Sequence, residues 1–87
     1  MSAQAIEYFY GRGWWARVHR AGCKDVAVEN SKDGIGSGVF RSEAVSRSEA
    51  IEEVAGDFVA DGGPTWREYE QHVSFAPCLS LPREVAR

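Results

Sequence analysis

The chain has 87 residues, of which 44% are hydrophobic and 26% are charged, and its formal net charge is −3. This length allows one domain, and the three Trp, four Phe and three Tyr supply the large apolar side chains of a small core. The composition excludes a disordered chain, and the first apolar run, residues 5–10, falls short of the ~20 residues of a membrane helix. We therefore expect a cytoplasmic α+β domain over residues 1–82 without membrane contact, followed by a charged tail over residues 83–87.

Alternation of apolar and polar residues predicts a β-hairpin near the start of the chain. Residues 5–10 and 14–20 both alternate, and a turn with two glycines, residues 11–13, joins them. A third strand is predicted at residues 26–30, and residues 35–41 form a weaker fourth candidate because two glycines interrupt them. These segments predict a small antiparallel sheet of three to four strands.

The clearest helix signal lies in the second half of the chain. Ser46 and Glu49 fit a capping box, in which the Ser hydroxyl accepts from a first-turn N–H and the Glu side chain reaches back. Apolar residues then recur at helical spacing, at Ala50, Ile51, Val54, Ala55, Phe58 and Val59. Gly and Pro at residues 62–64 end the helix, and an earlier start near Ser42 also fits the sequence. We expect one long helix packed on one face of the sheet.

The last quarter of the chain fits two periodicities. Residues 65–76 can be assigned either to a helix or to a strand, and we favour a short helix that runs into an extended segment. The predicted order is therefore β-β-β-(β)-α, with a short C-terminal helix or extended segment added.

The sequence contains no pattern that is typical of catalysis or of cofactor binding. We therefore expect a protein that is not an enzyme, with no catalytic residues and no cofactor. The two cysteines, Cys23 and Cys78, and the two histidines, His19 and His72, show neither a CxxC nor an HxxxH spacing, so we expect no metal site. Both cysteines are expected to be free thiols, and a single disulfide between them is the alternative.

Two surfaces are candidates for partner binding. The first is the strand stripe Trp15, Arg17 and His19, whose members share one face of the second predicted strand. The second is the acidic face of the predicted helix, formed by Glu49, Glu52, Glu53 and Asp57. The alternative to each is structural: the C-terminal segment covers Trp15, and the acidic face is merely solvated. We expect more affinity from the stripe, because a buried Trp or Arg anchor contributes ~2 kcal/mol or more and an exposed carboxylate under ~1.

Charge is distributed unevenly along the chain. Residues 1–24 contain four basic residues against one acidic residue, whereas residues 25–87 contain six against twelve. The acidic majority favours a protein partner with a basic surface. The basic excess of the hairpin is small for a domain that binds the nucleic-acid backbone, so nucleic-acid binding is expected to be weak.

Two resemblances add to this interpretation. Residues 13–18 (GWWARV) and 38–44 (GVFRSEA) resemble the arm-type DNA-binding domain of tyrosine recombinases, a small β-β-β-α unit, and imply DNA contact through the sheet. In its size, its acidity and its lack of catalytic motifs the chain also resembles small phage-encoded inhibitors of the anti-CRISPR type. We therefore expect a non-enzymatic protein-binding domain, a small inhibitor of a larger nucleic-acid-handling complex. The alternative is a small nucleic-acid-binding module that uses the basic N-terminal hairpin.

Overall fold

The computed structural model describes residues 3–60 and 69–83. Its elements are β1 (Gln4–Gly11), β2 (Trp15–Arg20), α1 (Lys24–Asp33), β3 (Gly34–Ala44), α2 (Arg47–Ala60), α3 (Tyr69–His72) and β4 (Val73–Phe75). The sheet has the strand order β3-β1-β2-β4, in which β1 is antiparallel to both neighbours and β4 is parallel to β2. The predicted α+β class is confirmed, but the sheet is mixed and not wholly antiparallel. The predicted helix stop at residues 62–64 and the tail residues 84–87 lie outside the described residues.

The predicted hairpin is confirmed by the pairing of β1 with β2, which runs from Ile6 opposite Arg20 to Gly11 opposite Trp15. In the turn, Gly13 has a φ of 90°, a conformation that glycine adopts without steric cost, and Trp14 follows at 59°. The alternation of the two strands buries one complete face, namely Ile6, Tyr8, Tyr10, Ala16 and Val18. This face holds the main core of the molecule.

Helix α1 stands where a third strand was predicted at residues 26–30, and that prediction is wrong. Strands β2 and β3 are both antiparallel to β1 and lie on opposite sides of it, so they run parallel to each other. A connection between parallel strands has to cross a face of the sheet, and α1 makes this crossing. Val26 is buried whereas Val28 is 49% exposed, so the two valines do not share the inward face that a strand requires.

The predicted fourth strand at residues 35–41 is confirmed as part of the longer strand β3. It pairs with β1 from Gln4 opposite Ala44 to Gly11 opposite Gly34, with a register shift between Phe9 and Gly11. Gly36 and Gly38 have positive φ angles of 94° and 88° in this part of β3. The two glycines therefore mark an irregular stretch of the strand, as is common for glycine within a sheet.

Helix α2 begins at the predicted Ser46 cap, and the Glu49 side chain reaches back one residue further than in a standard capping box. The Glu49 N–H donates to Ser46 Oγ at 3.2 Å, and the Glu49 carboxylate accepts from the Val45 N–H at 3.3 Å. The alternative start near Ser42 is wrong, because β3 continues to Ala44. Most of the predicted apolar residues of α2 are buried, but Val59 is 61% exposed and lies outside the core.

The two main helices cover opposite faces of the sheet. On the core face, Phe58 of α2 stacks on Tyr10 with ring centroids 4.5 Å apart, and the Tyr10 hydroxyl donates to the Val54 carbonyl at 3.3 Å. On the other face, α1 brings Glu29 to the Arg17 and His19 side chains of β2. The expectation of one helix on one face is therefore corrected to one helix on each face.

The C-terminal segment is part of the packed structure. The favoured interpretation of a short helix running into an extended segment is confirmed by α3 and β4. Beyond β4, Leu79 and Leu81 are buried in the core cluster. The carbonyl oxygen of Pro82 accepts from the Arg47 N–H at 2.8 Å, and that of Arg83 accepts from the Ser48 N–H at 3.2 Å. The segment thereby satisfies backbone donors of the first turn of α2, which have no partner within the helix.

No helix in the described part of the chain is both long enough and apolar enough to span a membrane.

Candidate functional site

Three side chains of the metal-ligand type meet at the end of β2. A ring nitrogen of His19 and the Sγ atoms of Cys23 and Cys78 all lie within 4.8 Å of one another. We call these three residues the His–Cys cluster. His19 belongs to β2, Cys23 is the residue that precedes α1, and Cys78 follows β4. The sequence prediction of no metal site rested on short-range spacing, and Cys78 lies 59 residues from His19.

A tight turn places Cys23 in the cluster. The Cys23 N–H donates to the Arg20 carbonyl at 3.1 Å, and Gly22 within the turn has a φ of 85°. The Gly22 N–H also donates to the Glu7 carboxylate of the neighbouring strand at 2.6 Å. The position of Cys23 relative to His19 is therefore determined by backbone hydrogen bonds between sheet and turn.

The parallel pairing of β4 with β2 brings Cys78 to the same place. Val18 lies opposite Phe75 in this pairing, and the Ala76 N–H continues the ladder by donating to the Val18 carbonyl at 2.9 Å. The backbone N–H of Arg20 then donates to Cys78 Sγ at 3.4 Å, and this sulfur lies 3.6 Å from His19 Nδ1. Each contact depends on a tertiary pairing that joins distant parts of the chain.

Glu29 determines the orientation of the His19 ring. Its carboxylate oxygen lies 3.1 Å from His19 Nε2 and 3.5 Å from Arg17 Nη1. An ionised carboxylate can only accept hydrogen bonds, so Nε2 carries the proton of this contact. In the neutral imidazole, Nδ1 is then the unprotonated nitrogen that faces Cys78. The His19 side chain is 2% exposed, so its ring is held within the protein.

Both cysteines are free thiols, and each is partly buried. The backbone N–H of Asp25 lowers the pKa of the Cys23 thiol, but the neighbouring Cys78 thiol, removal from water and the charge of the Asp25 carboxylate together raise this pKa by more. The net direction is upward, so Cys23 is more fully protonated at neutral pH than an ordinary cysteine.

The strand stripe Trp15, Arg17 and His19 does not form one exposed surface. His19 is buried, and Arg17 is paired with Glu29 of α1. The Trp15 ring lies across Gly11 of the neighbouring strand and meets the Phe9 ring edge-on at 5.5 Å between centroids. The stripe is on the face that α1 covers, and Cys78 of the C-terminal segment contacts it at His19.

The four residues of the predicted acidic face divide into two pairs. Glu49 belongs to the capping box, and the Asp57 carboxylate accepts a hydrogen bond from the Tyr8 hydroxyl of β1. Glu52 and Glu53 are exposed, and neither forms an ion pair with any residue in the described part of the chain. Helical spacing could not distinguish the two structural carboxylates from the two exposed ones, because Asp57 bonds to Tyr8 of the sheet and Glu49 to the backbone before the helix.

Comparison with protein-family models, with curated proteins and with solved structures finds no match to this chain. Function therefore has to be inferred from the side chains themselves.

Proposed function

We propose that this chain is a non-enzymatic protein-binding domain that binds a partner with a basic surface through the outer face of α2. We define the outer face as four exposed residues, Glu52, Glu53, Gly56 and Val59. The observation that carries the proposal is the 61% exposure of Val59. The same helix carries the carboxylates of Glu52 and Glu53, which form no ion pair with a described cationic residue. A partner can bury Val59 at the centre of the contact while the two carboxylates form part of its polar rim.

Helical geometry gathers these residues into one patch. Glu52, Gly56 and Val59 follow the spacing i, i+4 and i+7, which places them along a single stripe, and Glu53 borders the stripe because it lies three residues before Gly56. A methyl group added at Gly56 meets no other atom within 4 Å, so the helix backbone is accessible at this point. A partner can therefore approach the helix closely between the two carboxylates and Val59.

The charge of the outer face determines the class of partner. Carboxylates attract a basic surface at long range and raise the rate of association. Complexes that handle nucleic acids carry such surfaces, because they neutralise phosphates with Lys and Arg. We propose that the chain is an inhibitor that occupies a basic surface of this kind in competition with nucleic acid.

Binding of nucleic acid by the basic hairpin is the second hypothesis, and the ion pairs favour it less. Arg17 is paired with Glu29, and Arg41 on the adjacent strand is paired with Glu7, each at 3.5 Å. The exposed Arg12 lies in the turn before β2, and the exposed Arg20 is the last residue of β2, so the two lie at opposite ends of the strand. The positive charge of the hairpin is therefore partly neutralised and dispersed, which is unfavourable for binding a continuous phosphate backbone.

The test is a pull-down from host lysate with three immobilised proteins as bait. They are wild type, the double variant Glu52→Lys/Glu53→Lys, and the control Asp33→Lys/Glu43→Lys. Asp33 and Glu43 are also exposed, and their reversal changes the net charge by the same amount. We expect a protein that wild type and the control retain and that the α2 variant loses. Equal retention by all three baits would contradict the outer face as the interface.

The captured partner is then purified, and its binding kinetics are measured at low and high salt. The α2 double variant should act mainly on the association rate, and its effect should weaken as salt is added. Gly56→Arg places a long cationic side chain in the centre of the patch, where an added Cβ meets no neighbouring atom within 4 Å, and should abolish binding while the domain stays at least as stable as wild type. Normal binding by folded Gly56→Arg would contradict the proposal.

A fluorescence-anisotropy titration with duplex DNA separates the two hypotheses. We expect no sub-micromolar binding in ~150 mM salt and a shallow dependence on salt concentration. Tight, sequence-selective binding that is lost in Arg12→Ala/Arg20→Ala would instead establish the basic hairpin as a nucleic-acid site.

A further inference from the structure

We infer that the His–Cys cluster is a Zn²⁺ site, in which His19 Nδ1 and the thiolates of Cys23 and Cys78 are the ligands and Glu29 is a positioning residue. The inference is independent of the proposed partner surface, because the outer face of α2 contributes no residue to the His–Cys cluster.

The spacing of the ligand atoms fits tetrahedral zinc. Zn–S bonds of ~2.3 Å and Zn–N bonds of ~2.1 Å at the tetrahedral angle place sulfur and nitrogen about 3.6 Å apart. The Sγ of Cys78 lies 3.6 Å from His19 Nδ1. All three ligand atoms lie within 4.8 Å of one another, so small side-chain rotations suffice to bring Cys23 to the same centre.

Groups around the cluster already serve the functions that a zinc site requires. The contact of Glu29 with Nε2, at 3.1 Å, leaves the Nδ1 lone pair directed at the cluster, as in carboxylate–histidine–zinc arrangements. The Arg20 N–H donates to Cys78 Sγ, and such a donor stabilises a thiolate. The His19 ring is also held by its burial, so little rotamer entropy remains to be lost on binding.

The donor atoms select the class of metal. Two thiolates and one imidazole match the preference of Zn²⁺, whereas Mg²⁺ and Ca²⁺ require oxygen ligands. The three ligands leave one tetrahedral position, which a water molecule or a group from outside the cluster would take. Bound zinc would join the turn before α1 to the segment after β4, and a structural metal is a common support for a domain with a small core.

The first experiment is titration of the reduced protein with Co²⁺, whose absorption reports its ligands. We expect a sulfur-to-cobalt charge-transfer band and tetrahedral d–d bands at a stoichiometry of one, all displaced by Zn²⁺. His19→Gln, Cys23→Ser and Cys78→Ser should each weaken or remove these bands. The matched control His72→Gln changes the other histidine, which lies outside the cluster, and should leave the spectrum unchanged.

The second experiment uses the wild-type chain, so that no variant has to fold. Zn²⁺ should raise the unfolding temperature of the reduced protein, and a chelator should reverse the shift, because zinc binds the folded state in preference to the unfolded chain. Glu29→Ala should lower the zinc affinity by ~10–100-fold while the cobalt bands of the loaded protein persist. The control Glu43→Ala, an exposed acidic residue on β3, should leave the affinity unchanged.

Three results would overturn the inference. One is the absence of a thiolate–cobalt band in reduced wild type, and another is a full band in His19→Gln, which would show that the two sulfurs alone bind the ion. The third is rapid alkylation of Cys78 at equal rates with and without Zn²⁺. That result would indicate a reactive thiol activated by His19 and Glu29 rather than a metal ligand.

Discussion

At the scale of single residues, Tyr8 shows how one polar group is accommodated in the core. Its ring is 1% exposed, and its hydroxyl donates to the Asp57 carboxylate of α2. Burial first, and then the hydrogen bond and negative charge of Asp57, raise the pKa of Tyr8 far above its ordinary value of 10.0. The folded protein thus retains a proton that the unfolded chain loses above pH 10.

Tyr8→Phe should destabilise the domain at neutral pH by about 1.5–3 kcal/mol, because it removes a hydrogen bond to a charged acceptor. The stabilisation is fully present below pH 10 and is lost as the pH rises above it, because only the unfolded chain releases the proton there. The difference between wild type and variant should shrink by about 1.4 kcal/mol per pH unit above pH 10. Urea unfolding between pH ~8 and ~11 measures this, and a constant difference would contradict it.

Gly56 is a glycine within α2 at which a side chain is expected to be favourable. A methyl group added there meets no atom within 4 Å, and alanine has a higher helix propensity than glycine. Gly56→Ala should therefore raise the free energy of unfolding by about 1 kcal/mol, as measured by urea denaturation. The matched control is Gly11→Ala, which should lower stability. The Trp15 ring occupies the position of the added methyl group there. Loss of stability in Gly56→Ala would show that α2 is not a continuous helix at this point.

At the scale of the element, α2 depends on its first turn. Ser46 is 2% exposed and accepts the Glu49 N–H, while the C-terminal segment accepts the N–H groups of Arg47 and Ser48. The helix start is therefore stabilised partly by its own sequence and partly by a segment more than thirty residues later in the chain.

Ser46→Ala should cost about 0.5–2 kcal/mol of stability, because it leaves the Glu49 N–H without its capping acceptor. Thermal unfolding followed by circular dichroism measures the loss. The control Ser42→Ala lies in β3, before the helix, and should change stability by less than about 0.5 kcal/mol. A larger loss in the control than in Ser46→Ala would reverse this assignment of the cap.

At the scale of the whole molecule, Phe58 connects α2 with the sheet. The side chain is completely buried, stacks on Tyr10 and meets Trp14 edge-on at 5.7 Å between ring centroids. Domains of this size are marginally stable, so the loss of one such ring removes a large share of the total free energy of unfolding.

Phe58→Ala should lower the free energy of unfolding by about 3–5 kcal/mol, since it leaves a cavity between helix and sheet. The control is Val59→Ala, the next residue along the helix, which is 61% exposed and should change stability by less than about 0.5 kcal/mol. Equal losses in urea denaturation would show that α2 presents a different face to the sheet.

The features that depend only on neighbouring residues could be predicted from the sequence. The hairpin of β1 and β2 follows from two-residue alternation around a glycine turn, and the start of α2 follows from the spacing of Ser46 and Glu49. The short helix followed by a strand at the end of the described chain was also predictable. Each of these features has its cause within a few residues, so a single sequence is sufficient to reveal it.

Which elements lie side by side could be learned only from the folded protein. Residues 26–30 show a short alternation that suggests a strand. The parallel arrangement of β2 and β3, however, requires a connection across the sheet, and α1 provides it. The pairing of β4 with β2 likewise brings Cys78 to His19, and α1 brings Glu29 to the same ring. His19 is 10 positions from Glu29 and 59 positions from Cys78. These contacts depend on the closure of the whole sheet, and no spacing in the sequence records that closure.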